Sequence, residues 1–120
     1  MANDDLPAFR RDLIAFLRAR FDEEEAIALA ACGDPGCGVW AAVEGGVDFD
    51  QYEVGGIHPA TAAHIARHDP AHVLRDIAVK RRIVEYCDNW RRDEFETGPI
   101  LELLVLTYAD HEAFREEWKP

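Results

Sequence analysis

The chain has 120 residues, 48% of them hydrophobic, and 13 basic against 24 acidic side chains give it a net charge of −11. That length fits one domain and not two, and three Trp, six Phe and three Tyr supply enough apolar volume to exclude wholesale disorder. So large an acidic excess argues against nucleic-acid binding and against adhesion to anionic membranes, both of which need a basic face.

The first predicted element is a helix over residues 6–31. Asp5 is placed to cap it, Pro7 suits its first turn, and Phe9, Leu13, Phe16, Leu17, Ile27 and Ala28 recur near helical spacing. The acidic run Asp22 to Glu25 interrupts the apolar stripe and predicts a bend, and the breakers Cys32-Gly33-Asp34-Pro35-Gly36 end the helix. A β-hairpin is predicted over 39–54: Val39 to Glu44, then Gly45-Gly46 as a tight turn, then Val47 to Val54, where Val47 and Phe49 alternate with aspartates. Gly55-Gly56 closes the hairpin. A short alanine-rich helix follows over 59–68, and Asp69-Pro70 reads as an N-cap and first residue of a helix over 70–92. That helix presents Val73, Ile77, Ile83, Val84, Cys87 and Trp90 on one face. A restart at Gly98-Pro99 opens a helix over 99–109, with Leu101, Leu104, Val105 and Tyr108 at i, i+3, i+4 and i+7. Asp110 caps a last helix over 111–118, in which Phe114 and Trp118 stand four apart. The fold expected is a single α+β domain, predominantly helical, with about five helices and one hairpin.

Two stretches carry a family resemblance. One is His64-Ile65-Ala66-Arg67-His68-Asp69-Pro70-Ala71 with Val73-Leu74 and Lys80-Arg81-Arg82-Ile83-Val84-Glu85; the other is Tyr108-Ala109-Asp110-His111 with Arg115-Glu116-Glu117-Trp118-Lys119-Pro120. With Phe16-Leu17-Arg18-Ala19-Arg20, they resemble a domain-of-unknown-function family of small actinobacterial proteins, whose members are often found near mobile or phage-derived genes. The resemblance covers most of the chain and implies a lineage without an activity. A looser likeness, over residues 40–80, is to phage accessory proteins in which a Trp-bearing hairpin precedes a helix that starts at Pro.

The sharpest chemical candidate is the histidine cluster. His64 and His68 stand four apart, so on one helix both rings share a face, as a divalent metal requires. His72 continues the count beyond Pro70. The competing reading has His68 bonding the end of its own helix. Cys32 and Cys37 bracket a turn, but no second cysteine pair exists to complete a zinc site, and Cys87 reads as a small core residue. Three cysteines cannot all pair within the chain, so reduced thiols are expected.

Charge is unevenly distributed. Residues 57–92 carry seven basic against four acidic side chains and four of the five histidines, whereas the flanking segments are strongly acidic. Arg75, Lys80, Arg81 and Arg82 could meet an anion, or pair with Asp76, Glu85 and the acidic arms. Phe114 and Trp118 either staple the tail to the core or, with Arg81 and Arg82, form an interaction patch for a protein partner or a second copy. The acidic start Met1 to Asp5 is unlike a secretory leader, and the apolar run Gly98 to Ala109 is too short to span a bilayer, so a cytoplasmic protein without membrane association is expected.

Three functional readings follow. The first is a non-enzymatic acidic accessory or protein-interaction protein, DNA mimicry being one version. The second is a metal-binding module on His64 and His68, with zinc as the one cofactor considered. The third and least favoured is an enzyme: the chain has no serine, no phosphate-cradling glycine motif and no convergent nucleophile and base.

Overall fold

The computed structural model describes residues 5–32, 38–89 and 94–120, with the side chains of all but 5–7 and 94–96. Leu13, Ile14, Phe16, Leu17 and Phe21 recur at three- and four-residue spacings, and the chain winds them into one helix, α1 (Asp5–Cys32), that continues through the acidic run. The remaining elements are strands β1 (Ala41–Val43), β2 (Gly46–Asp48) and β3 (Glu53–Gly55), then helices α2 (Pro59–Arg67), α3 (Pro70–Asn89) and α4 (Glu94–Leu106). A 3-10 turn, Glu116–Trp118, follows them. The fold is α+β and mostly helical, with four α-helices and a three-stranded antiparallel sheet among the described residues. Two compact units are distinguished, one of Glu23–Ala78 and one of the chain up to Asp22 with Val79–Pro120.

In the unit of Glu23–Ala78 the sheet has the order β1-β2-β3. Val43 pairs with Gly46, so the tight turn is Glu44-Gly45, one residue earlier than the expected Gly45-Gly46. Gly45 has φ +86°, which favours glycine. Gly46 is a glycine for a different reason: a Cβ there would lie 1.8 Å from the Val54 carbonyl oxygen. The expected second strand is split in two. Asp48 Oδ1 accepts from the Asp50 amide at 2.8 Å, Asp50 takes φ 75°, and Phe49 N–H donates to the Tyr52 carbonyl. This aspartate-driven turn reverses the chain into β3. Ala42, Val47 and Val54 are cross-strand partners, and α2 packs against β1 and β2, burying Val47 and Ala62.

Asp69 ties this unit together. Its Oδ1 accepts from the His72 amide at 2.8 Å, the N-cap bond to the third residue of α3, and its Oδ2 accepts from the Trp40 amide at 3.1 Å. Ala71 N–H donates to the Gly38 carbonyl beside it. Ile27, expected in the core, is 65% exposed, because Ala28 continues the Phe21 row seven residues on and Ile27 points about 100° away from it.

In the other unit the core is built from Leu13, Leu17 and Phe21 of α1, Val84 and Cys87 of α3, Leu101 and Val105 of α4, and Trp118. Arg10 reaches the Cys87 carbonyl and, at 2.8 Å, the Thr97 hydroxyl. Cys87 lies near the end of the described part of α3, and the guanidinium ties that stretch to α1. The expected restart at Gly98-Pro99 does not occur; both residues lie inside α4. Proline forfeits one backbone bond there, and the preceding Gly98, with no Cβ, removes the Cβ part of the clash that disfavours helix before a proline.

The fifth helix expected over 111–118 does not form either. Residues 107–119 instead make a run of i to i+3 backbone bonds ending in the 3-10 turn. His111 Nδ1 captures the Ala113 amide at 3.0 Å, and Arg115 is extended at φ −97°, ψ 137°. A helix of about eight residues cannot repay its own nucleation against such local competition. Trp90, the 90–92 end of the third predicted helix, and Cys37 with the turn at 33–36 lie outside the described residues, as do the side chains of Asp5 and Pro7.

Asp69→Ala removes a cap and leaves the Trp40 amide without its acceptor. The expected loss is about 2–4 kcal/mol of unfolding free energy in urea denaturation followed by circular dichroism, with Asp69→Asn, which keeps the cap, costing about half.

Candidate functional site

Each unit carries one feature with the makings of a site. The first begins with α4, whose segment Ile100-Leu101-Glu102-Leu103-Leu104-Val105-Leu106 is apolar on more than one side. Leu101 and Val105 fill the core, which leaves Ile100 39% and Leu103 68% exposed. Opposite Leu103 lies the tail. Trp118 is 4% exposed, with its ring centroid 4.8 Å from Phe16 and 5.5 Å from Phe114, and Arg115 sits over it at 5.3 Å. The Arg115 guanidinium is held by Asp12 at 3.1 Å and Glu117 at 3.4 Å, and these bonds raise its pKa above the ordinary arginine value.

Between α4 and the tail is a groove of about 310 Å³. Phe9, Pro99, Leu103, Leu106, Trp118 and Pro120 give it apolar walls, and Glu102, Glu117 and Lys119 give it ionisable ones. Lys119 pairs with Glu116 at 3.1 Å and Glu117 with Arg115, whereas Glu102 has no ion pair among the described residues. On the other side of Trp118 a shallower hollow of about 340 Å³ runs along Asp12, Phe16, Arg20 and Arg115. The Trp118 Nε1–H is buried and finds no acceptor among the described residues.

The second feature is the histidine row. The His64 and His68 ring centroids are 4.3 Å apart, and the His72 ring is 6.0 Å from His68 at 72°. All three residues are exposed. His58 Nδ1 accepts from the Ala60 amide and caps α2. No group of three or more His, Cys, Asp or Glu residues arranged to hold a metal ion occurs among the described residues.

The expected interaction patch is distributed as follows. Phe114 is half-buried and packs on Trp118, which is itself core; Arg82 is exposed; Arg81 pairs with Asp22 at 2.7 Å. Thus an acidic residue of α1, Asp22, does meet the basic helix. Cys87 is a fully buried free thiol whose pKa is pushed up by loss of solvation, with Arg10 opposing in part. Sequence reasoning missed the groove, because it took Leu101, Leu104, Val105 and Tyr108 as the working face of α4 and left Ile100 and Leu103 unassigned. The signal was the surplus of apolar residues over what one buried stripe needs.

A mostly helical α+β protein with an apolar, acid-edged groove and, among the described residues, no helix long and apolar enough to cross a membrane is what these observations define. A family model matches residues 10–120, and the chain belongs to that family, described as a family of unknown function (DUF6221). Neither the curated proteins nor the solved structures contain a match to the chain.

Two outcomes test this geometry. Trp118→Phe keeps the ring packing and removes the donor without an acceptor, so unfolding free energy changes by less than about 1 kcal/mol, whereas Trp118→Ala costs about 3–5 kcal/mol in the same urea titration. Cys87, its thiolate suppressed by burial, stays unlabelled by iodoacetamide at pH 8 until the chain unfolds, as read by peptide mass spectrometry.

Proposed function

We propose that this chain is a non-enzymatic interaction protein of the cytoplasm. Its partner is a protein segment that inserts a bulky apolar side chain into the groove beside α4 and sets a Lys or Arg against Glu102. The observation that carries this reading is Leu103, 68% exposed at the groove wall next to a carboxylate with no ion pair among the described residues. An exposed leucine alone is ordinary, but one that lines a concave apolar surface of about 310 Å³ has the form of an anchor pocket. The charge selects the class of partner. At −11, two copies of the chain repel each other, while a basic segment is attracted at long range and docks faster.

Selection from a displayed peptide library against the purified chain tests this. Enriched peptides should share a bulky apolar residue next to Lys or Arg. Leu103→Asp should abolish their binding with the circular dichroism spectrum unchanged. Glu102→Gln should weaken it by about three- to tenfold and flatten its salt dependence. Enrichment of acidic peptides, concentration-dependent self-association in place of peptide binding, or binding indifferent to Leu103→Asp would each refute it.

A further inference from the structure

We infer that His64 and His68 form a two-imidazole chelate for a first-row divalent cation, Cu2+ or Ni2+ in preference to Zn2+. The inference is independent of the groove, which belongs to the other unit.

The argument starts from how α2 ends. The helix stops at Arg67, and His68 is its C-cap, with φ −106°, ψ 38° and its backbone N–H bonded to the Ile65 carbonyl at 3.1 Å. The last turn leaves carbonyls without intrahelical partners. One of them, that of His64, lies 2.8 Å from His68 Nδ1. A carbonyl oxygen only accepts, so Nδ1 must carry the proton and donate it. The neutral ring is therefore the Nδ1–H tautomer, and Nε2 holds the lone pair. This is the arrangement in which a backbone carbonyl orients a metal-ligating histidine through its second nitrogen. The His64 ring stands 4.3 Å away, centroid to centroid and tilted by 38°, on the same end of the same helix. Small side-chain rotations bring two such rings onto one cation.

The number of ligands selects the metal. Asp69, next in sequence, has both carboxylate oxygens committed, one to the His72 amide and one to the Trp40 amide. No third His, Cys, Asp or Glu completes a cluster among the described residues. Zinc sites take three or four protein ligands, whereas tetragonal sites of mixed nitrogen and water ligands suit Cu2+ and Ni2+, which also precede Zn2+ in intrinsic affinity for imidazole. Both histidines are exposed, so water fills the remaining positions. Arg67 shares the last turn of α2 but is exposed, and solvent screens its charge.

The test is titration of the untagged full-length chain with CuSO4, NiCl2 and ZnCl2, read by calorimetry and, for copper, by electron paramagnetic resonance. The expected result is one Cu2+ per chain with imidazole nitrogen hyperfine structure, and weaker Zn2+ binding. His64→Ala and His68→Ala should each reduce Cu2+ affinity by more than about tenfold. His64→Ala leaves the C-cap intact, so it separates lost ligation from a disturbed helix end, and circular dichroism checks both variants. His58→Gln should bind as the parent does. Failure to bind Cu2+ at stoichiometric level, affinity unchanged in His64→Ala, or Zn2+ bound as tightly as Cu2+ would overturn the assignment.

Discussion

The unit that carries the groove depends on the burial of one indole. Residues 107–119 are joined by i to i+3 bonds, which are weaker ties than a helical ladder and say little about where the segment lies. Trp118 supplies the position. Its contact with Phe16 and Phe114, and the Arg115 guanidinium across its face, hold the tail against the N-terminal half of α1. Burying a tryptophan yields several kcal/mol, more than the surface ion pairs of Arg115 and Lys119 contribute together. Its Nε1–H, left without an acceptor among the described residues, offsets part of that gain. The outcome is a wall of the groove that rests on packing, so the groove's shape follows the tail and the tail follows Trp118.

In the other unit the comparable constraint is Asp69-Pro70. The proline forces a break between two helices, and the aspartate makes the break rigid by capping α3 and holding the Trp40 amide. That break also decides what the histidines can do. On a continuous helix residues 64, 68 and 72 would form one row. Here His68 closes α2 while His72 is the third residue of α3, and the rings of 68 and 72 stand at 72° to one another. A trio in sequence is thereby reduced to a pair that shares one helix, and each oxygen of the carboxylate nearest in sequence already accepts a backbone amide.

The parts of this fold legible in the sequence were those governed by local chemistry. Asp69 as a cap, the buried rows of α1 and α3, and the stop before residue 38 follow from side-chain spacing and from backbone preferences. What was not legible came from competition between local options. Phe49 looked like a strand residue because it alternates with aspartates, yet the Asp48 carboxylate accepts from the Asp50 amide, and with Asp50 at φ 75° the chain turns. Gly98-Pro99 looked like a boundary because proline usually is one, but a glycine before it, lacking a Cβ, eases the steric clash, and both residues lie inside α4. The last predicted helix failed because His111 takes a backbone amide for its own ring. The groove was missed for a different reason: it depends on which side of α4 the tail covers, and no local pattern encodes that. The histidine pair was legible as a spacing, while the carbonyl that fixes the tautomer of His68 appears only with the helix end in place.

The acidic excess is the remaining feature to account for, and pairing does not account for it. Asp12, Asp22, Asp88 and Glu116 meet Arg115, Arg81, Arg18 and Lys119, all in exposed or half-exposed positions where solvent screening leaves such a pair little net worth. With 24 acidic and 13 basic side chains, eleven carboxylates stay uncompensated however the pairs are arranged. Self-repulsion of that size lowers the stability of a small chain. A surface selected for stability alone would carry less of it. Repulsion does, however, keep apart copies that each expose Leu103 and Ile100, and it attracts anything basic. On this view charge and groove divide one task. The field governs how fast a basic segment arrives and which segments are turned away, and the apolar walls between α4 and the Trp118-anchored tail govern how long it stays.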